Sequence, residues 1–461
     1  MNANFQASPA LGLMAGVDTR ATLPSVHSEY FGRGCRYGCA DPIQATRIGS
    51  PIFAAKWIFF PAYSDKISSR ATLPQFRITY ISSRLNRDHT MAEASNIQFL
   101  DNSTVFDLLI NLSRDEAIEL RRVVEQTFKD FSGGERQYQP APSFVNRPNG
   151  QTALFRPFTS NDSFGTKIIA QSTPGPDGNK CDISGVIVLC DSAGTPTGIL
   201  SSEEVTGYRT SMNAMVPFSW RKHVDEIVIF GSGMQALWHT RLILTLRGSE
   251  VKTITYVSSS KQRVNDLIAK VSAENETRWK AGCSFRVLDS TTSDFQQDLE
   301  SCLQTVDCIF CTTPSKKPLF PAKYLAGRDA RRPFLSAVGS WQSDMIEVDP
   351  ELLHLAVAPK AGYNPITQKE DGVILVDDRE FGLAHSGELL QGKIAAKDVV
   401  ELGEILSLTA ADDADGSTGT NIQKTNYFVS EGLVIYKSVG VSLTDLTVSN
   451  AILQLAKAKR D

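Results

Sequence analysis

Short apolar runs alternate with helical patterns through the middle of the chain. Glu226–Phe230 is a β-branched and aromatic run, typical of a buried parallel strand. An apolar helical pattern starts at Met234 and stops before Gly248, a residue that often follows a helix end. Similar runs predict strands at 251–257, 306–312, 333–338 and 373–376, and a helix at 261–271. Strands alternating with helices predict an α/β domain built on a doubly wound parallel sheet.

The loop between the first of these strands and its helix has the pattern G-x-G-x-x-A, from Gly231 to Ala236. In such a loop the first glycine makes the tight turn, the second lets backbone approach a pyrophosphate, and the alanine lets strand and helix pack closely. A glycine turn in another strand–helix unit would look the same, but the strand and helix that follow favour a Rossmann domain. Cofactor contacts are therefore predicted at Gly231, Ser232, Gly233, Met234 and Gln235.

The end of the second predicted strand indicates which dinucleotide binds. An NAD site places an acidic residue there to bind the ribose hydroxyls. Residues 256–263 contain no acid; Ser258, Ser259, Lys261 and Arg263 instead suit a 2′-phosphate. A polar loop with a serine helix cap would also fit, but we predict NADPH, with NADH or NAD less favoured. Further cofactor contacts are predicted at Thr312, Thr313 and Val338.

The preceding region predicts a mixed α+β domain. A strand at 97–100 is followed by a helix capped within 102–104, and Ser113 with Glu116 forms a capping-box start for a helix to about Phe131. Strands are predicted at 164–172, 183–190 and 198–200, a loop at 411–420 and a closing helix at 443–459. We predict a substrate-binding and dimerisation domain from 91–222 with 441–461, and the Rossmann domain at 223–440.

Composition narrows the function classes. The 461 residues carry a net charge of −4, so a nucleic-acid surface is not predicted. No apolar run reaches membrane-spanning length, and the eight scattered cysteines fit free thiols in a reducing compartment, so we expect a soluble, cytoplasmic protein. Cys35 and Cys39 lack further ligands nearby, which argues against a metal site.

Residues 1–90 differ from the rest of the chain. They are rich in Arg and Ser, poor in acids and without sustained helical periodicity. A disordered tail, an organelle transit peptide or an extension absent from the mature protein would all fit. We expect a dispensable, mostly disordered segment.

Several motifs occur in an order that resembles the ornithine cyclodeaminase/mu-crystallin family. They are the strand lysine at 165–169, the T-x-x-R-T-like segment at 205–211, the glycine loop, and the segments at 337–340, 376–378, 387–389 and 437–440. Each is modest alone, but the ordered set is specific and spans most of 91–461. The resemblance implies a homodimer in which each subunit pairs a sheet-rich substrate domain with a Rossmann domain.

Four cations are candidates for binding substrate. By itself the pattern around Lys167 fits a solvated strand residue, and Arg209 fits a surface arginine. The resemblance implies instead that Lys167 contacts substrate, where burial lowers an ammonium pKa, and that Arg209 clamps a carboxylate. Arg147 would be a second clamp. Arg156 competes for that role, at a position where the family usually has an apolar residue.

Two positions depart from the cyclodeaminases of the family. Trp341 and Leu154 stand where those enzymes carry acids that engage substrate amines, while Asp344 aligns outside that role. Trp341 instead offers an apolar wall to the substrate. His223 and His239 are interpreted as structural; with His385 they are the alternative acid–base groups.

These observations favour an NADPH-dependent oxidoreductase. It would reduce a C=N bond of an imine or ketimine, or oxidise a small amino acid, with a carboxylate-bearing amino acid or cyclic imine as substrate. A cyclodeaminase-type lyase using bound NAD and a non-catalytic NADPH-dependent binder remain alternatives, because a Rossmann fold alone does not establish catalysis.

Overall fold

The computed structural model describes residues 97–171, 183–328, 331–339, 342–413 and 419–460. These residues belong to one compact unit, Asp88–Asp461. The predicted N-terminal extension, Cys35, Cys39 and Trp341 lie outside the described residues.

The first sheet contains six of the described strands, with the order β1-β6-β5-β4-β3-β2. They are β1 (Gln98–Leu100), β2 (Ser143–Asn146), β3 (Thr152–Thr159), β4 (Ser163–Gln171), β5 (Ile183–Asp191) and β6 (Pro196–Ser201). β1 pairs in parallel with β6, and the other neighbours are antiparallel. The β3–β4 register places Arg156 directly opposite Lys167, so both side chains lie on one face of the sheet.

Three helices accompany this sheet: α1 (Asn102–Ile110), α2 (Arg114–Gly133) and α3 (Ser202–Ser219). The capping box at Ser113 and Glu116 is confirmed, with both reciprocal hydrogen bonds present. The predicted cap of α1 was one residue late, because Asp101 accepts the Thr104 N–H at 2.8 Å.

The second sheet confirms the predicted doubly wound architecture. The strands after α3 are β7 (Glu226–Phe230), β8 (Thr253–Ser258), β9 (Ser284–Asp289), β10 (Cys308–Cys311), β11 (Phe334–Ala337), β12 (Pro359–Asn364), β13 (Lys369–Asp371), β14 (Ile374–Val376), β15 (Val399–Glu401) and β16 (Val434–Lys437). Apart from the antiparallel pair β12–β13, they form one parallel sheet with the order β15-β14-β16-β11-β10-β7-β8-β9. Their carboxyl ends therefore share one edge.

The helices of this half lie between its strands and after them. They are α4 (Met234–Arg247), α5 (Lys261–Glu274), α6 (Phe295–Thr305), α7 (Pro350–Ala356), α8 (Arg379–His385), α9 (Gly387–Gln391), α10 (Leu402–Asp413), α11 (Thr420–Glu431) and α12 (Ser442–Ala458). Short 3₁₀ turns occur at Glu135–Tyr138, Ala322–Leu325 and Ala396–Asp398, and a π turn at Asn275–Trp279. The loop predicted at 411–420 is shorter than expected, since α10 continues to Asp413; residues 414–418 lie outside the described ranges.

Two helices connect the sheets. α3 is buried along nearly its whole length and packs against α4. α12 returns to the first sheet, where Asn450 Nδ2 donates to Ser163 Oγ at 3.0 Å. The face of the first sheet that carries Lys167 is thereby covered by α3 and α12. In the part of the chain described, no helix is long and apolar enough to cross a membrane.

Candidate functional site

A buried ion cluster joins three elements that are distant in sequence. Lys167 on β4 places Nζ 2.8 Å from both carboxylate oxygens of Asp445 on α12, and donates a hydrogen bond to Oδ1. Arg209 on α3 donates from Nε to the same Oδ1 at 2.9 Å. All three side chains are buried. One carboxylate therefore holds two cations in place at the junction of β4, α3 and α12.

Burial sets the protonation chemistry of Lys167. Loss of solvent disfavours the ammonium, and the charges of Arg209 and Arg156 add to this effect, while Asp445 opposes it. The net result lowers the pKa of Lys167 to about 7. For Asp445, burial would raise the pKa, but Arg209 and Lys167 hold it below its usual value. A lysine with a pKa near neutrality can both donate and accept a proton at physiological pH.

The guanidinium of Arg209 has a further hydrogen-bond donor besides Nε. Its Nη1 is buried and has no hydrogen-bond partner among the described residues. Arg156 on β3 points to the same place and donates from Nη2 to the Gly440 carbonyl. A Cβ atom on Gly440 would lie 3.1 Å from Arg209 Nη1 and 3.3 Å from Arg156 Nη1. The two guanidiniums thus converge beside a residue that has no side chain, which is an arrangement suited to an anion.

The loop that carries Gly440 is fixed by a buried carboxylate. Asp377, after β14, accepts hydrogen bonds from Ser438 Oγ at 2.6 Å, Val439 N at 2.9 Å and Gly440 N at 2.7 Å. Gly440 has φ of 85°, in the left-handed region that favours glycine. Because the loop follows β16, it lies at the carboxyl edge of the parallel sheet.

The glycine loop lies at the same edge and has the geometry of a phosphate cradle. Gly231 has φ of 115°, and a Cβ there would lie 2.6 Å from Thr312 Oγ1, so only glycine fits. Gly233 caps α4, and no heavy atom lies within 4 Å of where its Cβ would be. Ser232 Oγ lies 3.0 Å from Ser258 Oγ. The open backbone at Gly233 and the N-terminus of α4 together provide donors for an anion.

Hydrogen bonds connect the glycine loop to the ion cluster. Gln235 Nε2 donates to the Thr206 carbonyl at 3.4 Å, and Thr206 Oγ1 lies 3.5 Å from Lys167 Nζ. Gln235 Oε1 also accepts from Ser211 Oγ at 3.3 Å. The side chain of Gln235 is therefore a direct bridge between the start of α4 and the turn of α3 beside Lys167.

A second group of buried acids lies under the loops after β10 and β11. Glu347 accepts from Thr313 N at 2.6 Å, from Thr313 Oγ1 at 2.9 Å and from Gly339 N at 2.8 Å. Glu388 accepts from Glu347 N at 2.8 Å, and Lys437 Nζ lies 3.6 Å from Glu388. Burial raises the pKa of Glu347 even though Lys437 opposes it. These acids fix the loops that carry Thr312, Thr313 and Val338.

The other residues predicted to bind cofactor or substrate lie on the surface. Ser259, Lys261 and Arg263 are exposed at the start of α5, and Met234 is exposed beside Gly233. Arg147 is exposed in the turn between β2 and β3, so the structure brings Arg156, rather than Arg147, next to Arg209.

His239 and His385 form no hydrogen bond or ion pair with Lys167, Arg209 or Asp445. His239 is buried, with Nδ1 at 2.9 Å from Ser211 Oγ and 2.7 Å from the Gln235 carbonyl, and burial lowers its pKa to about 4. His385 is exposed, and Asp344 pairs with Lys316 on the surface at 2.6 Å. Within the described ranges, no cluster of His, Cys, Asp and Glu could hold a metal ion.

Sequence reasoning gave no role to several residues of the site. Asp445 reads as an ordinary acid in the first turn of α12, and Asp377 and Glu388 were noted only as members of motifs. The signal that was available is their position in apolar surroundings, since a buried carboxylate requires a partner.

No model of a known protein family matches the chain. A Dictyostelium discoideum protein named as an uncharacterized cyclodeaminase is 25% identical over 305 residues, which cover 64% of this chain and 76% of that protein. Δ1-Pyrroline-2-carboxylate reductase of Thermococcus litoralis, solved in complex with NADH and L-proline, has a TM-score of 0.57 and 17% identity over 79% of this chain and 98% of its own. A lysine cyclodeaminase, studied for recognition of L-lysine, L-ornithine and L-2,4-diaminobutyric acid, has a TM-score of 0.58 and 17% identity over 79% and 94%. These matches confirm the predicted resemblance to the ornithine cyclodeaminase/mu-crystallin family, and the solved structures confirm the fold.

Proposed function

We propose that this chain, which resembles the ornithine cyclodeaminase/mu-crystallin family, is an NADPH-dependent oxidoreductase that reduces the C=N bond of a carboxylate-bearing imine or ketimine. The observation that carries the proposal is Arg209 Nη1, which is buried beside Arg156 and Lys167 and has no hydrogen-bond partner in the described part of the chain. Two adjacent arginines suit the binding of carboxylate groups, and a lysine with a pKa of about 7 suits a proton transfer. Oxidation of a small amino acid is the same reaction in reverse.

The residues present fit a nicotinamide dinucleotide. Gly231, Gly233 and the N-terminus of α4 would hold the pyrophosphate, since the space beside Gly233 is open. Thr312, Thr313 and Val338 follow β10 and β11 at the same edge of the sheet. When bound, the nicotinamide supplies the hydride.

The chain's own residues position the substrate and handle its proton. Arg209 binds the carboxylate beside the imine carbon, which fixes the orientation of the C=N group. Lys167 holds a proton at Nζ for the substrate nitrogen, and Asp445 keeps this ammonium available at neutral pH by opposing the effect of burial. α3 and α12 cover the cluster and exclude water from it.

The choice of NADPH rests on the loop after β8. Ser258, Ser259, Lys261 and Arg263 offer hydroxyls and positive charge to a 2′-phosphate. Asp289 is the competing group, because the strand register pairs it with Ser258 at the end of β9. Its carboxylate accepts from Thr291 N at 3.0 Å and Thr291 Oγ1 at 2.7 Å, so hydrogen bonds within its own turn already hold it.

A substrate panel tests the proposal. Cyclic imino acids, and 2-oxo acids mixed with ammonia or methylamine, are incubated with NADPH while the absorbance of the reduced cofactor is followed. We expect at least one carboxylate-bearing imine to be turned over, and Lys167→Met to abolish the rate without weakening NADPH binding. Ammonia release from ornithine or lysine with bound NAD would favour the cyclodeaminase alternative. Ligand binding without either reaction would favour a binding protein.

A further inference from the structure

We propose that Arg156 makes this site selective for substrates that carry two carboxylates, in the form of an imino or 2-oxo dicarboxylic acid. The inference rests on the proposed function in that it names the substrate class of the same site. Three positions carry it: Arg156 itself, its neighbour Arg209, and Gly440 between them.

The geometry aligns Arg156 with the ion cluster and leaves its donors available. Its backbone pairs with that of Lys167 across β3 and β4, so its side chain projects from the same face of the sheet. One amino group, Nη2, donates to the Gly440 carbonyl. The other, Nη1, would lie 3.3 Å from a Cβ atom at Gly440, and Arg209 Nη1, which is buried and has no hydrogen-bond partner among the described residues, would lie 3.1 Å from it. The two guanidinium groups therefore lie close together beside Gly440.

The charges in this space are unbalanced. Lys167, Arg209 and Arg156 are cations, and Asp445 is the one described carboxylate that pairs with members of the group, through Lys167 and Arg209. Burial lowers the pKa of Arg156, and the positive charge of Arg209 adds to this effect, while the charges of Asp445, Asp377 and Asp378 oppose it without cancelling it.

The next nearest acids are already bound elsewhere. Asp377 accepts three hydrogen bonds from residues 438–440, and Asp378 caps α8 through the Phe381 N–H at 3.1 Å. Asp378 also lies 3.8 Å from the Arg136 guanidinium. Neither carboxylate forms a hydrogen bond or ion pair with Arg156 among the described residues.

A ligand with two carboxylates would supply the negative charge that balances these cations. With Lys167 protonated, a single carboxylate would leave one cation of the cluster uncompensated, whereas a dicarboxylate would balance it. Each guanidinium is a planar fork that pairs with one carboxylate through two parallel hydrogen bonds. Arg209 would hold one carboxylate of the substrate, and Arg156 the other.

Binding of two anions of equal chain length tests this inference. Succinate and butyrate are titrated by calorimetry into the full-length protein saturated with NADPH, with thermal shift as a second readout. We expect succinate to bind at least about tenfold more tightly than butyrate. In Arg156→Met, succinate affinity should fall by about tenfold or more while butyrate affinity changes by less than about threefold, since truncating one partner of a buried charge pair costs at least that much.

One further variant is a control, and another replaces Arg156→Met if that variant does not fold. Arg147→Met removes an exposed arginine from the neighbouring turn and should alter neither affinity. If Arg156→Met is insoluble, Arg156→Gln replaces it and is judged by the same ratio. Equal losses for both anions, no preference in the unaltered protein, or no binding of either anion at millimolar concentration would overturn the inference.

The binding experiment tests the dicarboxylate preference separately from the proposed reduction. Anion binding requires no turnover, so a protein that prefers succinate through Arg156 but reduces no imine would contradict only the proposed function. A protein that reduces monocarboxylate imines and shows no preference for succinate would contradict only the assignment of Arg156.

Discussion

Lys167 on β4 and Asp445 on α12 are separated by 278 residues and form a buried ion pair at 2.8 Å. The same carboxylate binds Arg209 at 2.9 Å, so α12 supplies the counter-charge for both cations of the site. The C-terminal helix is thereby part of the candidate active site, in addition to its packing on the first sheet.

The Lys167–Asp445 ion pair predicts how kcat/KM depends on pH. Reduction requires protonated Lys167, so kcat/KM should fall as pH rises through about 7, the value to which burial lowers the pKa of Lys167. Asp445→Asn removes the charge that favours the ammonium, so the pKa of Lys167 falls further and the alkaline limb should move to lower pH by about one unit or more. The variant should also lose about 3–5 kcal/mol of stability, because two buried cations lose their partner.

The measurement is a pH–rate profile together with chemical denaturation. Asp344→Asn is the control, since Asp344 forms an exposed pair with Lys316 and should change neither quantity. A profile of Asp445→Asn that superimposes on the original would show that Lys167 does not provide the titrating proton.

Arg209 should matter for substrate and not for cofactor. Arg209→Ala is expected to lower kcat/KM by roughly 2–5 kcal/mol of transition-state stabilisation, because the substrate carboxylate loses its buried partner. The Kd for NADPH, measured by fluorescence titration, should stay within about threefold, since Arg209 lies on α3 rather than in the glycine loop. Near-normal turnover in this variant would refute the carboxylate assignment.

Gly440 offers a test of carboxylate binding beside the two arginines. Gly440→Ala places a methyl group 3.1 Å from Arg209 Nη1 and 3.3 Å from Arg156 Nη1, and should raise the KM for the substrate by about tenfold or more. Gly194→Ala is a matched control, since Gly194 has φ of 86°, against 85° at Gly440, and nothing within 4 Å of its Cβ position. Both variants should lose about 1 kcal/mol of stability from backbone strain, but only Gly440→Ala should affect KM. An unchanged KM would place the carboxylate elsewhere.

Cofactor preference is tested at the loop after β8. We expect NADPH to bind more tightly than NADH at physiological salt, because Lys261 and Arg263 attract the 2′-phosphate. Ser259→Asp should reverse the preference by repelling that phosphate and accepting hydrogen bonds from the ribose. Ser293→Asp adds the same charge at an exposed position outside this loop and serves as the control. Equal or tighter NADH binding in the unaltered protein would overturn the assignment.

The outer face of the first sheet predicts the oligomeric state. Phe155, Phe164 and Val186 lie on the face opposite Lys167 and are 39%, 41% and 36% exposed. An exposed apolar face of this kind favours association, and we expect a homodimer that buries it. Sedimentation at micromolar concentration should give a dimer, and Val186→Arg should weaken it. A monomeric unaltered protein would contradict the prediction.

Local sequence patterns were sufficient for much of the fold. Glu226–Phe230, the glycine loop and the start of α4 were predicted at their observed boundaries, because a buried parallel strand and a glycine turn have strong local signals. The capping box of α2 was likewise visible, since its hydrogen bonds span three residues. β9 was not predicted, because a strand of mixed composition gains its stability from neighbours in the sheet, and β16 was not predicted because only three apolar residues precede Lys437 within the strand.

The ion cluster was decided by tertiary structure. The sequence identified Lys167 and Arg209 as candidates, but a carboxylate 236 residues from Arg209 could be paired with it only by the packing of α12 against α3 and the first sheet. The choice between Arg147 and Arg156 was likewise left open by the sequence, since both fit a carboxylate clamp. Strand register resolved their positions, because it places Arg156 opposite Lys167 while the turn after β2 exposes Arg147. Local patterns specify helices, strands and turns, whereas partners distant in sequence are selected only when those elements pack.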